Sequence, residues 1–294
     1  MKDSKNKLHP KSHHNSLYNF NELIIDVPEL KKFIIKNPDG IDTVNFSNPE
    51  VVYLLNKALL LHYYDLSFWD IPKENLIPPV PGRADYIHYI ADLLRDTSTN
   101  IESKKILDIG TGASLIYPII GSAVYNWHFI ATDIEPKSLE NAALIIANND
   151  RLKEKVTLRL QLNKKNILKE IITETDYFDA IICNPPFFKS EKEAAFQTQR
   201  KIKGLTKNKA PKVVPNFSGL YNELWCNGGE LSFLLNYIQE SQLFKNQVGW
   251  FTSLVSNEDN LKVCFKELKR LKAVFRTIEM SQGNKKSRIL VWKF

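Results

Sequence analysis

Asn184, Pro185, Pro186 and Phe187 follow directly on an apolar run, FDAIIC, so they stand where a strand ends. These residue types suit methylation of a planar amine. The lone pair of an adenine or amide nitrogen is delocalised and a poor nucleophile. Two acceptors aimed at the NH2 hydrogens favour a more tetrahedral nitrogen, whose lone pair can then point at a sulfonium methyl. The Asn184 carboxamide oxygen is one acceptor and the Pro185 carbonyl can be the other. The prolines fix the backbone, so the acceptors are preorganised. Phe187 offers a flat face for a stacked base, worth about 1–3 kcal/mol. No strong general base is needed. The attacked nitrogen becomes acidic only after transfer, and water can take its proton, so positioning supplies most of the rate.

A second set of residues suits a cofactor. The run KKILDIG (104–110) leads into LDIGTGAS, Leu107 to Ser114. Gly110 and Gly112 let the backbone turn sharply and approach a ligand closely. Leu115 stands where a dinucleotide fingerprint would have its third glycine, so that pattern is incomplete. The run WHFIATD (127–133) ends in Asp133, which can accept both hydroxyl protons of a ribose. Nicotinamide cofactors and S-adenosylmethionine (SAM) both carry such a ribose, and Asp133 does not choose between them. It could also cap a helix before Pro136. Asp108 could order the glycine loop or face a cofactor's ammonium.

These residues need a sheet to bring them together. From Lys104 the strand candidates are 104–110, 127–133, 155–162, 178–184, 247–255, 273–280 and 287–294. Amphipathic helix candidates separate most of them: SLIYPIIGSAV, PKSLENAALIIANN, GELSFLLNYIQESQLF and EDNLKVCFKELKRL. Such alternation implies a mostly parallel sheet covered on both faces. The last two candidates are joined only by SQGNKK, which predicts an antiparallel hairpin. The expected fold is α/β, resembling the Rossmann-like class I methyltransferases: a seven-stranded, mostly parallel sheet ending in that hairpin.

Residues 1–100 are expected to form a basic tail and a helical extension, and 101–294 the catalytic domain. Asp26 should cap a helix over VPELKKFII, with Pro28 early in it, and Asn48-Pro49 should start PEVVYLLNKALLLHYY. Helical periodicity resumes from Ala84 to Leu94. Residues 185–227 form an unusually long connection without clear periodicity, a hallmark of functional or disordered loops. Its part 188–227 is expected to be mobile without RNA and to help close over the target.

The chain of 294 residues has a formal charge of +7, and its basic residues cluster. Arg200, Lys201, Lys203, Lys207, Lys209 and Lys212 lie in one acid-free stretch; Lys2, Lys5, Lys7 and Lys11 flank His9, His13 and His14; Lys285, Lys286 and Arg288 form a third group. Such clusters can neutralise phosphates and release counterions. The three cysteines form no CxxC pair, which argues against a disulfide framework or a zinc site, and no metal is expected. No apolar run reaches bilayer length and the start lacks an apolar signal region, so a cytoplasmic location is expected.

Longer stretches extend the picture: HPKSHHNSLYNF, DTVNFSNPE, WDIP, PPVPGRADYIHYIADLL, ILDIGTGASLIYPIIG, CNPPFF, ELWCNGGE, VGWFTSLVS and SQGNKKSR. With these the chain resembles the bacterial 23S ribosomal RNA adenine-N6 methyltransferases and, more distantly, the eukaryotic enzymes that modify U6 RNA. The resemblance runs over nearly the whole chain. It implies SAM as cofactor and, as substrate, adenine 1618 in the reference rRNA numbering, met in naked 23S rRNA or in a large-subunit assembly intermediate. A monomer is expected. It further implies that Arg83 holds the methionine carboxylate of SAM, that Gly110 and Asp133 contact the cofactor, and that Asn184 and Phe187 handle the adenine. A residue around Gln161 to Asn163, with Asn163 favoured, should line the cofactor's own adenine. The basic lysines and Arg288 would hold RNA. Competing readings are methylation of another planar amine (a protein glutamine or a DNA adenine), a nicotinamide-dependent oxidoreductase and a non-catalytic RNA-binding scaffold.

Overall fold

The computed structural model describes residues 8–96, 100–186, 226, 228–282 and 285–294. Its first elements answer to local side-chain chemistry. Helix α1 (Phe20–Asp26) is capped by Asn19, whose side chain accepts from Asn21 N at 3.1 Å. The α-helix expected over VPELKKFII does not form. Asp26 stays inside α1, Pro28–Phe33 makes a 3-10 helix, and the chain then turns extended. The reason lies just downstream in Asn37-Pro38-Asp39-Gly40. The Asn37 side chain accepts from Asp39 N and Ile41 N, both at 2.9 Å. This turn closes an antiparallel hairpin of β1 (Ile34–Lys36) and β2 (Asp42–Val44), and the β-branched Ile34 and Ile35 suit its strand. Helix α2 (Pro49–Tyr64) starts as expected, with Asn48 accepting from Glu50 N at 3.0 Å. Helix α3 (Val80–Arg95) begins before Ala84 because Pro81 fits a first helical turn.

The remaining chain alternates as expected: β3 (Lys105–Ile109), α4 (Ile116–Tyr125), β4 (His128–Asp133), α5 (Pro136–Ala147), α6 (Asp150–Lys155), β5 (Val156–Leu160) and β6 (Phe178–Cys183), then α7 (Gly229–Ser241), β7 (Val248–Val255), α8 (Glu258–Arg270), β8 (Val274–Gln282) and β9 (Lys285–Lys293). The seven-stranded sheet runs β5-β4-β3-β6-β7-β9-β8. Strands β3 to β7 are parallel, while β9 is antiparallel to both β7 and β8. The last strand thus lies inside the sheet. Ile289, Leu290, Val291 and Trp292 of β9 are fully buried, whereas Val274 at the start of β8 is 62% exposed, so the more polar β8 takes the edge. The order reverses between β3 and β6. That switch point opens a crevice beyond the carboxyl ends of the strands, where α/β sheets bind ligands.

One apolar cluster joins Leu23, Leu59, Trp69 and Ile87 to Ile106, Phe129, Ile182 and Val291 of the sheet. The amino-terminal helices therefore cover one face of the sheet, and packing is continuous across residue 100. The opposite face packs on α7 and α8 through residues such as Tyr237, Ile238, Cys264 and Leu268. Gly121 lets α4 sit directly on β4: a Cβ there would stand 2.4 Å from Phe129 Cζ. Gly121→Ala should therefore destabilise the chain by about 1–3 kcal/mol through overpacking. Thermal unfolding is the check, and an unchanged melting temperature would contradict this packing. Among the described residues no helix is long and apolar enough to cross a membrane.

Candidate active site

A cavity of about 590 Å³ opens at the carboxyl ends of β3, β4 and β6. Its floor is the glycine loop. Gly110 and Gly112 have φ of +72° and +65°, values that a side chain would strain. Gly110 N and Thr111 N both donate to Thr132 O at 2.9 Å, and Gly112 N donates to the Asp133 carboxylate at 2.9 Å. The far side of the loop is latched by other elements. Trp69 Nε1 donates to Ser114 O at 3.0 Å, and Asn141 Nδ2 donates to Ala113 O at 2.8 Å. Sequence reasoning noted WDIP without a role. A fully buried indole has an N–H to satisfy, and the loop carbonyl satisfies it.

Asp133 lines the cavity, and its second oxygen accepts from Glu135 N at 2.9 Å. It does not cap α5, since Glu135 holds that position. Burial raises the Asp133 pKa, and its backbone hydrogen bonds oppose the rise. Asp108 sits behind the loop, fully buried and off the cavity lining, and among the described residues neither oxygen has a hydrogen-bond partner. Burial pushes its pKa up to about 7; the nearby Asp133 adds to this, while the Thr111 hydroxyl and the Arg83 guanidinium oppose it. Arg83 comes from the first turn of α3 and lines the same cavity. Its Nη1 donates to the Tyr117 hydroxyl at 2.9 Å, and the guanidinium lies 5.6 Å from that ring's centre. Among the described residues its guanidinium makes no ion pair.

Asn184, Pro185 and Pro186 also line the cavity, at the end of β6, the neighbour of β3. The Asn184 side-chain oxygen is buried and, among the described residues, accepts no hydrogen bond. The strand end that carries it is held by a buried chain of hydroxyls. Cys183 N donates to the Tyr86 hydroxyl at 3.3 Å, Tyr86 to Thr252 Oγ1 at 2.7 Å, and Thr252 to Ile181 O at 2.8 Å. Tyr86 and Thr252 were not foreseen; they lie in α3 and β7, distant in sequence from residue 184. Phe187 lies outside the described residues.

The third wall differs from expectation. Asn163 is exposed and does not line the cavity. Its side chain accepts from Lys165 N at 3.1 Å, and its own N–H donates to Gln161. Of the expected range Gln161 does line the cavity, followed by Lys164, Lys165, Asn166 and Ile167 and joined by Phe233 and Asn236 of α7. A tight turn at 163–166 swings Asn163 outward, which a strand-end count does not foresee.

Of the expected basic residues, Lys201, Lys203, Lys207, Lys209 and Lys212, the expected loop motion included, lie outside the described residues. Lys285 and Lys286 begin β9. Arg288 is paired with Glu258, and its side chain is 15% exposed, so its guanidinium is engaged. The amino-terminal histidines are not a solvated positive cluster. His9 Nε2 meets Asp92 at 2.8 Å, and the His14 ring meets the hydroxyls of Tyr64 and Tyr18 at 2.8 and 3.1 Å. Burial lowers the His14 pKa to about 4, which leaves it neutral. Among the described residues no cluster of histidine, cysteine and carboxylate side chains is placed to hold a metal.

A switch-point cavity floored by a glycine loop, with a carboxylate at the second strand's end and NPP at the fourth's, defines a class I methyltransferase. The family described as RNA methyltransferase matches residues 2–294. The chain belongs to that family and is a SAM-dependent RNA methyltransferase. It is 52% identical to ribosomal RNA large subunit methyltransferase F of Flavobacterium johnsoniae, over 99% of this chain and 94% of that one. Against the protein of the same name from Bacteroides thetaiotaomicron the identity is 48%, over 99% and 98%. Among solved structures it resembles the catalytic domain of human METTL16 in complex with MAT2A 3′UTR hairpin 1, with a TM-score of 0.81 and 29% identity over 98% of this chain and 96% of that one. It also resembles the amino-terminal domain of human METTL16 in complex with SAH, with a TM-score of 0.76 and 27% identity over 98% and 99%.

Proposed function

We propose that the chain transfers a methyl group from SAM to the N6 amine of one adenine in 23S rRNA, adenine 1618 in the reference numbering. The observation that carries this reading is the Asn184 oxygen, buried without a partner among the described residues on a side chain that lines the cavity. A buried acceptor without a donor costs about 1–3 kcal/mol, and an exocyclic amine supplies the missing donor. The relatives' ribosomal RNA names support an rRNA target. The reading places the protein in the cytoplasm as a monomer, acting on naked rRNA or on a large-subunit assembly intermediate.

The cavity fits SAM in size and in chemistry. Its volume falls within the range of about 300–1,000 Å³ usual for small-molecule sites. Arg83 meets the methionine carboxylate, and the buried Asp108 carboxylate behind the glycine loop attracts the ammonium electrostatically. Gly110 and Gly112 allow close approach of the backbone, and Asp133 binds the ribose. The segment from Gln161 to Ile167 receives the cofactor's adenine, with Asn166 in the role expected of Asn163. When bound, SAM supplies an electrophilic methyl on sulfur. Asn184 and the Pro185 carbonyl hold the target amine in line with it, and Phe187 stacks on the base. Lys201, Lys203, Lys207, Lys209, Lys212, Lys285 and Lys286 hold RNA phosphates; the ion-paired Arg288 contributes through position. Residues 1–100 form an extension that roofs the cofactor site and touches RNA.

The test is labelled methyl transfer to rRNA from cells that lack the protein, followed by mapping of the modified nucleotide. One N6-methyladenine at the stated position is expected. Equal transfer to DNA or to a glutamine-bearing protein in competition, or methylation elsewhere in the rRNA, would overturn the assignment.

A further inference from the structure

Helix α7 follows the long connection and runs beside the cavity, placing Phe233 and Asn236 on its wall. Glu240 lies further along the helix, buried and away from the cavity. Its carboxylate accepts from three consecutive backbone amides: Ile167 N at 3.1 and 3.2 Å, Leu168 N at 2.8 Å and Lys169 N at 3.1 Å. Gln161 closes the other side of the same turn. Its Nε2 donates to Lys169 O at 2.9 Å, and its Oε1 accepts from Asn163 N at 3.0 Å. Between these two clamps runs the segment Lys164–Ile167 that lines the cavity.

A buried carboxylate is costly unless donors surround it, and three successive N–H groups do so. The dependence is mutual. Without the carboxylate, the buried amides of Ile167 and Leu168 and the part-buried amide of Lys169 lose their acceptor, and the segment must shift to satisfy them. Residues 167–169 cannot provide that acceptor themselves, because their turn points all three N–H groups the same way.

We propose that Glu240 is a positioning residue: from α7 it holds the Lys164–Ile167 wall in the shape that receives the adenine of SAM. This rests on the assignment of the cavity to SAM. Glu240 touches neither cofactor nor substrate and acts through the backbone it binds.

The test compares the wild-type chain with Glu240→Ala and Glu240→Gln. Calorimetry would use S-adenosylhomocysteine (SAH) and 5′-methylthioadenosine, which keeps the adenine and ribose but lacks the amino acid. Kinetics would separate KM for SAM from kcat, and hydrogen exchange would follow the amides of residues 167–169. Glu240→Ala should weaken both ligands and raise KM about tenfold, as expected for lost charge-assisted hydrogen bonds, with kcat within about twofold. Its three amides should exchange faster while those of β3 and β4 stay protected. Glu240→Gln keeps one acceptor and should recover to within about threefold of wild type. If Glu240→Ala does not fold, Glu240→Asp, whose carboxylate stops one methylene short of the amides, takes its place with the same expectations. Unchanged affinity for 5′-methylthioadenosine despite deprotected amides, or a loss confined to kcat, would overturn the role. A wild-type chain that binds neither ligand would overturn the cofactor assignment and this role with it.

Discussion

Asn184→Ala should lower kcat for methyl transfer about a hundred- to a thousandfold, the scale seen when one preorganised polar contact to a reacting group is removed. The affinity for SAH should stay within about twofold, because in the proposed mechanism the side chain holds the target amine and not the cofactor. The physical case rests on the unpartnered oxygen. In the folded chain it is buried without a donor, so its desolvation cost is met before the substrate arrives. The hydroxyl chain from Tyr86 through Thr252 holds the strand end, so little reorganisation remains. Asn184→Asp keeps an acceptor and should retain more activity than Asn184→Ala. Single-turnover kinetics with saturating SAM isolates the chemical step. Full activity in Asn184→Ala would end the proposed mechanism, and a parallel loss of SAH affinity would move this residue to the cofactor.

Asp108→Asn should do two opposite things. It should weaken SAH binding about ten- to a hundredfold, because in the proposed reading the buried carboxylate attracts the ligand's ammonium. It should also stabilise the ligand-free chain above pH 7. Burial pushes the Asp108 pKa up to about 7, from about 4 for an exposed aspartate. Between these values the folded chain holds a proton that the unfolded chain has lost. Stability therefore falls as pH rises from about 4 to about 7, and the cost is fully present above that. The isosteric amide carries no charge to bury, so this part of the slope disappears. Other groups contribute to the whole profile. Asp85, raised to about 6, has the same sign, whereas His14 and His88, lowered to about 4, have the opposite sign. The difference between the wild-type and variant melting curves isolates Asp108. Wild-type SAH affinity should in turn fall below about pH 7, where the carboxyl must lose a proton to bind, and the variant should show no such fall. An Asp108 that merely orders the glycine loop would leave SAH affinity nearly unchanged in Asp108→Asn, because an amide can still hydrogen-bond.

Much of the site was legible in the residue order. Gly110 and Gly112 announced a turn that needs positive φ, Asp133 ended an apolar strand, and Asn184-Pro185-Pro186 ended another. Those signals are local, since backbone sterics and strand periodicity act over a few residues. The parallel alternation then had to bring all three strand ends to one edge of the sheet. Arg83 was reached only through resemblance, because nothing in PGR distinguishes a ligand-binding arginine from a surface one.

The histidines show where local signals mislead. HPKSHH looks like a solvated basic tail, yet His9 and His14 are buried against α2 and α3, which strap this segment to the fold. VPELKKFII looks helical, but a turn further on recruits Ile34 into a hairpin. The choice of Asn166 over Asn163 as a cavity residue, the clamp of Glu240 on residues 167–169 and the latch of Trp69 on the glycine loop all join groups far apart in the chain.

By itself the amino-acid order determined the alternation of strands and helices from residue 104 onward and which chemical groups stand at the strand ends, though not the fate of VPELKKFII. Only the folded chain decided which of those groups share a cavity, which buried polar atoms find partners, and which, like the oxygens of Asp108 and Asn184, are left without one. The reason is that strand and turn preferences are settled by neighbours along the backbone, whereas burial and hydrogen-bond satisfaction depend on the segments that packing brings alongside.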